Sequence, residues 1–159
     1  MSLKAWRSTG GRLSRENSSR AAKAVVAATL GWVGTPYRHQ GERKGVACDC
    51  LGLVRGVWGE LYGRELEYPG PYSADWAEAA SDERLIEGLR RHFTEKPVPD
   101  IAEGDVIVFR WRPHFQAKHA GIMVGPDRFA HAYQDHGVVV TQLVPQWRRR
   151  IAAVFTFPE

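Results

Sequence analysis

The chain has 159 residues, 22 of them basic and 18 acidic, for a formal net charge of +4. That length suits one domain with its own core, and 43% apolar with 25% charged residues is an ordinary globular composition. Two cysteines exclude a disulfide scaffold, and no apolar run is long enough to cross a bilayer.

The positive charge is local. Within the first 23 residues Lys4, Arg7, Arg12, Arg15, Arg20 and Lys23 face a single acid, Glu16, while the 16 basic and 17 acidic residues beyond them nearly cancel. The balance argues against a nucleic-acid-binding domain and makes residues 1–17 a basic flexible leader ahead of one domain, 18–159. Such an arm can hold an anionic surface, although a solvated leader is the simpler reading. The run AVVAATLGWV has the length of a signal-peptide core, but Thr29 and Gly31 interrupt it and its polar approach is long. An amphipathic helix from Ser18 to Gly34 fits better, with Ser18 or Ser19 as cap, Val26, Leu30 and Val33 as its apolar stripe, and Gly34 and Pro36 as its stop.

GTPYRHQGERKGVA then reads as a loop. Asp49 is a good N-cap for a second helix whose apolar face is Leu53, Val54, Val57, Trp58 and Leu61, with Gly63 as the stop. Pro69 and Pro71 mark a linker. SDERLIEGLRRHF, 81–93, has a serine cap, an acidic first turn and a basic last turn, the signature of a third helix. Five short β-branched or aromatic segments follow at 105–109, 119–124, 128–133, 137–143 and 151–157, the middle ones joined by connections too short for parallel crossovers. Helices first and strands after give an α+β fold with an antiparallel sheet of about five strands.

The chemistry centres on CDC. Cys50 takes the first helical position after Asp49, beside free N–H groups and the positive end of the helix dipole, which favours a thiolate. Cys48 precedes the cap and lacks that help, so Cys50 is the expected nucleophile and Cys48 a small loop residue. Alternation puts His131 with Phe129 and Tyr133, and His119 with Gly121 and Met123, on single strand faces. Two histidines on one face of neighbouring strands can hydrogen-bond, one as general base and one holding its tautomer. His39 stays in reserve. Cys48, Cys50, His119 and His131 also make a formal zinc set, but one residue between the cysteines is too few for a usual structural site.

These residues resemble the motifs of the NlpC-type, papain-like cysteine peptidases that cut bacterial cell-wall peptides. DCLGLV resembles their nucleophile motif D-C-S-G-[FL]-[VI], GTPYRHQG the upstream G-x-P-Y-x-x-G-G, and GDVIVF, HAGIMVG and RFAHAY the segments that follow, in order across about 20–157. The resemblance implies a papain-like fold with Cys50 as nucleophile at a helix N-terminus, His119 as general base, His131 orienting it, and Tyr37 holding the oxyanion beside the Cys50 N–H. It implies no metal or other cofactor, and a D-γ-glutamyl–diamino acid bond of the peptidoglycan stem peptide as substrate. Asp49 and Leu51 match substrate-binding positions, where Leu51 replaces a serine that in the family helps bind a free amine. His39-Gln40-Gly41 replaces an aromatic-Gly-Gly. CDCLGLVRGVW looks most like the subgroup of phage and phage-like tails. That implies a tail-tip or hub protein as partner, synthesis in the cytoplasm and action in the cell wall. An amidase or acyltransferase of the same fold and a non-catalytic tail-tip module remain alternatives.

Overall fold

The computed structural model describes residues 4–67 and 83–159. Helix α1 runs Lys4–Leu30, α2 Cys50–Tyr62, α3 Arg84–Arg90 and α4 Pro145–Arg148. Two short strands, β1 (Glu42–Arg43) and β2 (Ala47–Cys48), form a hairpin ahead of α2. The main sheet contains β3 (Thr94–Lys96), β4 (Val106–Phe109), β5 (His119–Met123), β6 (Arg128–Tyr133), β7 (Gly137–Gln142) and β8 (Ile151–Thr156).

The order β3-β8-β4-β5-β6-β7 is antiparallel throughout. The expected meander is therefore present as β4 to β7, and β8 returns to pair with β4. The sheet has six strands where five were expected. The sixth, Thr-Glu-Lys, is a short charged edge strand, a composition that protects an edge and carries no hydrophobic alternation to announce it.

Alternation sorts the sheet into two faces. Val106, Val108, Ala120, Ile122, Ala132 and Phe155 pack with Val25, Trp32, Leu53, Val54 and Val57 of the helical layer. Ile107, Phe109, Met123, Phe129 and Val154 form a second cluster on the other face, with Trp147 against it. The apolar face of α2 is the expected one; Leu53, Val54, Val57 and Trp58 are buried, and Gly63 ends the helix at φ +65.

Helix α1 departs from expectation twice. It starts at Lys4 rather than at a serine cap, so most of the 1–17 segment is continuous with it; no proline interrupts the run, and every residue from 11 to 20 is exposed. Its buried positions are Val25 and Thr29, continued by Trp32 in the turn that follows, while Leu30 and, in that turn, Val33 are exposed. The Trp32 indole sets this rotation: it packs where Gly56 of α2 lacks a side chain, and its Nε1 donates to Glu60 at 2.8 Å. Thr29 satisfies its buried hydroxyl on the Val25 carbonyl at 2.7 Å. Pro69, Pro71 and the Ser81 cap lie outside the described residues; α3 begins at Arg84, with Glu83 at its N-cap.

A Cβ added at Gly52 would lie 1.8 Å from the Gly41 carbonyl oxygen, so the loop before β1 touches α2 main chain to main chain. Gly52→Ala is expected to destabilise the protein by about 3 kcal/mol, because neither backbone can retreat without breaking the cap. A lowered midpoint in urea unfolding checks this.

Candidate active site

Asp49 builds the corner. Its backbone is extended, and the residue is 3% exposed with both carboxylate oxygens engaged. The Gly52 N–H donates to Oδ1 and the Gln40 N–H to Oδ2, each at 2.8 Å, and the His39 ring stands 3.9 Å from Oδ2. One carboxylate thus caps α2 and pins the 34–41 loop. Gln40 holds φ +63, a left-handed conformation, at one of the glycine positions of the aligned loop motif.

The same loop runs beside β2. Cys48 donates its N–H to the Pro36 carbonyl and accepts from Arg38, which sets Tyr37 opposite Cys48 in an isolated parallel bridge. Tyr37 is half-buried, and its phenol pKa is raised by burial and by the charges of Cys50, Asp49 and Cys48. Cys48 is not a loop residue. It is a fully buried strand residue of the helical core, its thiol pushed up to about 12 by burial and then by Asp49.

Cys50 is half-buried at the first turn of α2. Its Sγ lies 3.9 Å from the Lys118 carbonyl oxygen, and it is also engaged by the main-chain N–H of Ala120. The residue before His119 thus accepts at the sulfur, and the N–H of the residue after it favours the thiolate. The His119 Nε2 to His131 Nδ1 distance is 2.8 Å, and both rings are buried. Gly121 makes room for this pair, since a Cβ there would meet Phe129 at 2.8 Å and the His131 Cβ at 3.3 Å. Leu51 is half-buried against the helical core.

A third side chain, absent from the sequence reading, completes the row. Thr141 Oγ1 lies 2.9 Å from His131 Nε2. It sits in β7 two residues beyond Val139, the direct partner of His131. That diagonal offset keeps it on the face of His131. A threonine in a β-branched run carries no signal by itself; only the strand register reveals it. The row has a direction. A lone pair at His119 Nδ1 requires the proton on Nε2, donated to His131 Nδ1. His131 then carries its proton on Nε2 and donates to Thr141.

Aromatic rings enclose the histidines. Trp111 stacks on His119 at 5.4 Å and Phe109 at 5.9 Å; Tyr133 stacks on His131 at 5.1 Å, and Trp147 approaches both. This desolvation lowers the His119 pKa to about 3, with His131 adding to it, and that of His131 to about 4, with His136 adding to it. The Cys50 thiol is pushed up to about 12 by burial and then by Asp49, against main-chain N–H groups that favour the thiolate. This corrects the expected lowered thiol: the helix terminus is present, but burial beside a carboxylate outweighs it. The resting pair is a neutral thiol and a neutral imidazole. Among the described residues no group of three or more side chains could hold a metal, and the four residues of the formal zinc set do not converge.

Two outcomes follow from this electrostatics. Iodoacetamide should modify Cys50 and spare the buried Cys48, with a rate that climbs steadily to about pH 9 without the plateau of a low-pKa thiolate; mass-resolved alkylation across pH reads it. Thr141→Val should leave His131 a mixture of tautomers, whereas Thr141→Ser should keep one. Ring ¹⁵N chemical shifts of both histidines distinguish these results.

The comparisons with known proteins agree with this architecture. The chain is 29% identical over 133 residues to the "Probable endopeptidase NlpC homolog" of Haemophilus influenzae, covering 83% of this chain and 60% of that protein. It is 27% identical over 121 residues to "Murein DD-endopeptidase MepS/Murein LD-carboxypeptidase" of Escherichia coli K12, covering 75% and 54%. The chain thus spans little more than half the length of these relatives. The crystal structure of the NlpC/p60 domain of peptidoglycan hydrolase SagA superposes with a TM-score of 0.62 at 23% identity, covering 86% of this chain and 98% of that one. It has the same α+β papain-like fold. With the NlpC/P60 family model matching residues 34–155, from the loop before Tyr37 to the last strand, the chain belongs to the NlpC/P60 family.

Proposed function

We propose that this chain is a cysteine peptidase that hydrolyses the stem peptide of peptidoglycan, at the bond between D-γ-glutamate and a diamino acid. The observation that carries the reading is the Cys50 sulfur held against the main chain on both sides of His119, whose ring is hydrogen-bonded to His131. Similarity to a murein endopeptidase supports the substrate class.

In this reading Sγ of Cys50 attacks the scissile carbonyl carbon while its proton passes to Nδ1 of His119. The charge formed on His119 is met by the Nδ1 lone pair of His131, and His131 is held by Thr141. The carbonyl oxygen becomes an oxyanion beside the Cys50 N–H and the Tyr37 hydroxyl. His119 returns the proton to the leaving amine, which departs and leaves a thioester. Water, deprotonated by the same imidazole, then releases the acid and restores the thiol. Asp49 acts by fixing the corner, since both of its oxygens are already engaged. Leu51 presents an apolar wall where a serine hydroxyl would otherwise meet substrate.

A finer reading places the enzyme in a phage or phage-like tail, made in the cytoplasm and delivered to the cell wall. The form CDCLGLVRGVW supports it. The exposed stretch 11–20 of α1, with Arg12, Arg15 and Arg20, is suited to docking on a hub or tail-tip protein of opposite charge.

Wild type should release new muropeptides from purified peptidoglycan and Cys50→Ala none, a loss of about four orders of magnitude. Mass analysis of the products identifies the bond. Full activity in Cys50→Ala would overturn the reading, and acyl transfer without stem-peptide cleavage would replace it by an acyltransferase.

A further inference from the structure

Arg55, Arg90, Arg91 and Arg110 each hold a glutamate. Arg150 does not: among the described residues no carboxylate pairs with it, and its recorded side-chain contacts are two indoles. Its guanidinium lies 5.4 Å from the centre of the Trp111 ring and 5.7 Å from that of Trp147. These two rings also pack on the catalytic histidines, Trp111 on His119 at 5.4 Å and Trp147 on His131 at 5.3 Å. The exposed cation is therefore one indole removed from the proposed base.

Its position is built rather than incidental. The Arg110 N–H donates to the Arg150 carbonyl at 2.8 Å, extending the β4–β8 ladder just past a register shift at Val108/Phe109 and placing Arg150 beside Trp111. Such bulges commonly redirect side chains next to active sites. A planar guanidinium resting on aromatic rings is pre-organised, and stacking leaves its in-plane N–H fork free to take two carboxylate oxygens. Arg148 and Arg149, also exposed and without an ion-pair partner among the described residues, add positive potential to the same rim.

We propose that Arg150, seated on Trp111 and Trp147, is the binding site for a free carboxylate of the substrate close to the scissile bond. The proposal rests on the peptidase reading above, and it deepens it. A glutamate linked through its side chain keeps its α-carboxyl group free a few bonds from the carbonyl under attack. The site would take that carboxylate and disfavour a substrate in which it is amidated, because a carboxamide has no charge and turns an N–H toward the guanidinium.

Two γ-glutamyl stem peptides, identical except for an α-carboxylate or an α-carboxamide, test this. Each is titrated into Cys50→Ala protein and into Cys50→Ala/Arg150→Gln protein by tryptophan fluorescence, and each is offered to wild type and Arg150→Gln for cleavage. The acid should bind Cys50→Ala about tenfold more tightly than the amide, and Arg150→Gln should erase that ratio through KM with kcat little changed. Equal binding of acid and amide, no binding of either, or a ratio that survives Arg150→Gln overturns the proposal. Loss of indole packing alone would weaken both peptides alike and leave the ratio intact, which also overturns it. Cleavage of both peptides without a preference leaves the peptidase reading standing, whereas a preference in binding without cleavage keeps the site and removes the peptidase.

Discussion

A single buried carboxylate links two stretches of chain that would otherwise have no fixed relation. Asp49 accepts from Gly52 with one oxygen, starting α2, and from Gln40 with the other, closing the loop that carries Tyr37. The direct touch between Gly41 and Gly52 works only because the cap holds the loop at that height. Cys50 follows Asp49, so the position of the sulfur is set by the cap and not by contacts of its own side chain. Removing the carboxylate would leave N–H groups on both segments without acceptors, a far larger disturbance than losing one helix cap.

The histidine row belongs to a different part of the molecule. It stands on the aromatic face of the sheet, and its order comes from strand register: β5 supplies His119, β6 His131 and β7 Thr141. The helix corner and the sheet row meet at the start of β5, where the Lys118 carbonyl lies 3.9 Å from the sulfur. Each half is rigid for its own reasons, one through a cap and the other through packed rings. The electrostatics of the halves favours neutrality at rest. In the proposed mechanism charge separation is therefore tied to substrate, whose developing oxyanion is what a helix N-terminus stabilises best.

Much of this was legible in the sequence because it depends on local chemistry. An Asp before an apolar helix, a Gly after it, turn residues between β-branched runs and two histidines in alternating patterns all act over a few residues. The rotation of α1 was not legible, because it hangs on Trp32 finding the gap at Gly56, a contact 24 positions away in sequence. Leu30 and Val33 have the right spacing yet stay exposed. Thr94–Lys96 escaped notice because an edge strand needs only backbone pairing. Thr141 escaped because its value lies in which residue stands diagonally across from it. The burial that opposes the helix terminus at the Cys50 thiol is not visible in sequence, whereas its position in the helix is.

The protonated state of Cys50 bears on how the protein ages. Peroxides and other oxidants attack thiolates far faster than thiols, and the first product, sulfenic acid, ends a nucleophile's working life unless a reductant restores it. A sulfur held near a pKa of about 12 is almost wholly in the unreactive form at neutral pH. Cys48, sealed in the core, is shielded for the same reason and by inaccessibility as well. Burial that holds both thiols protonated thus also lowers their reactivity toward oxidants.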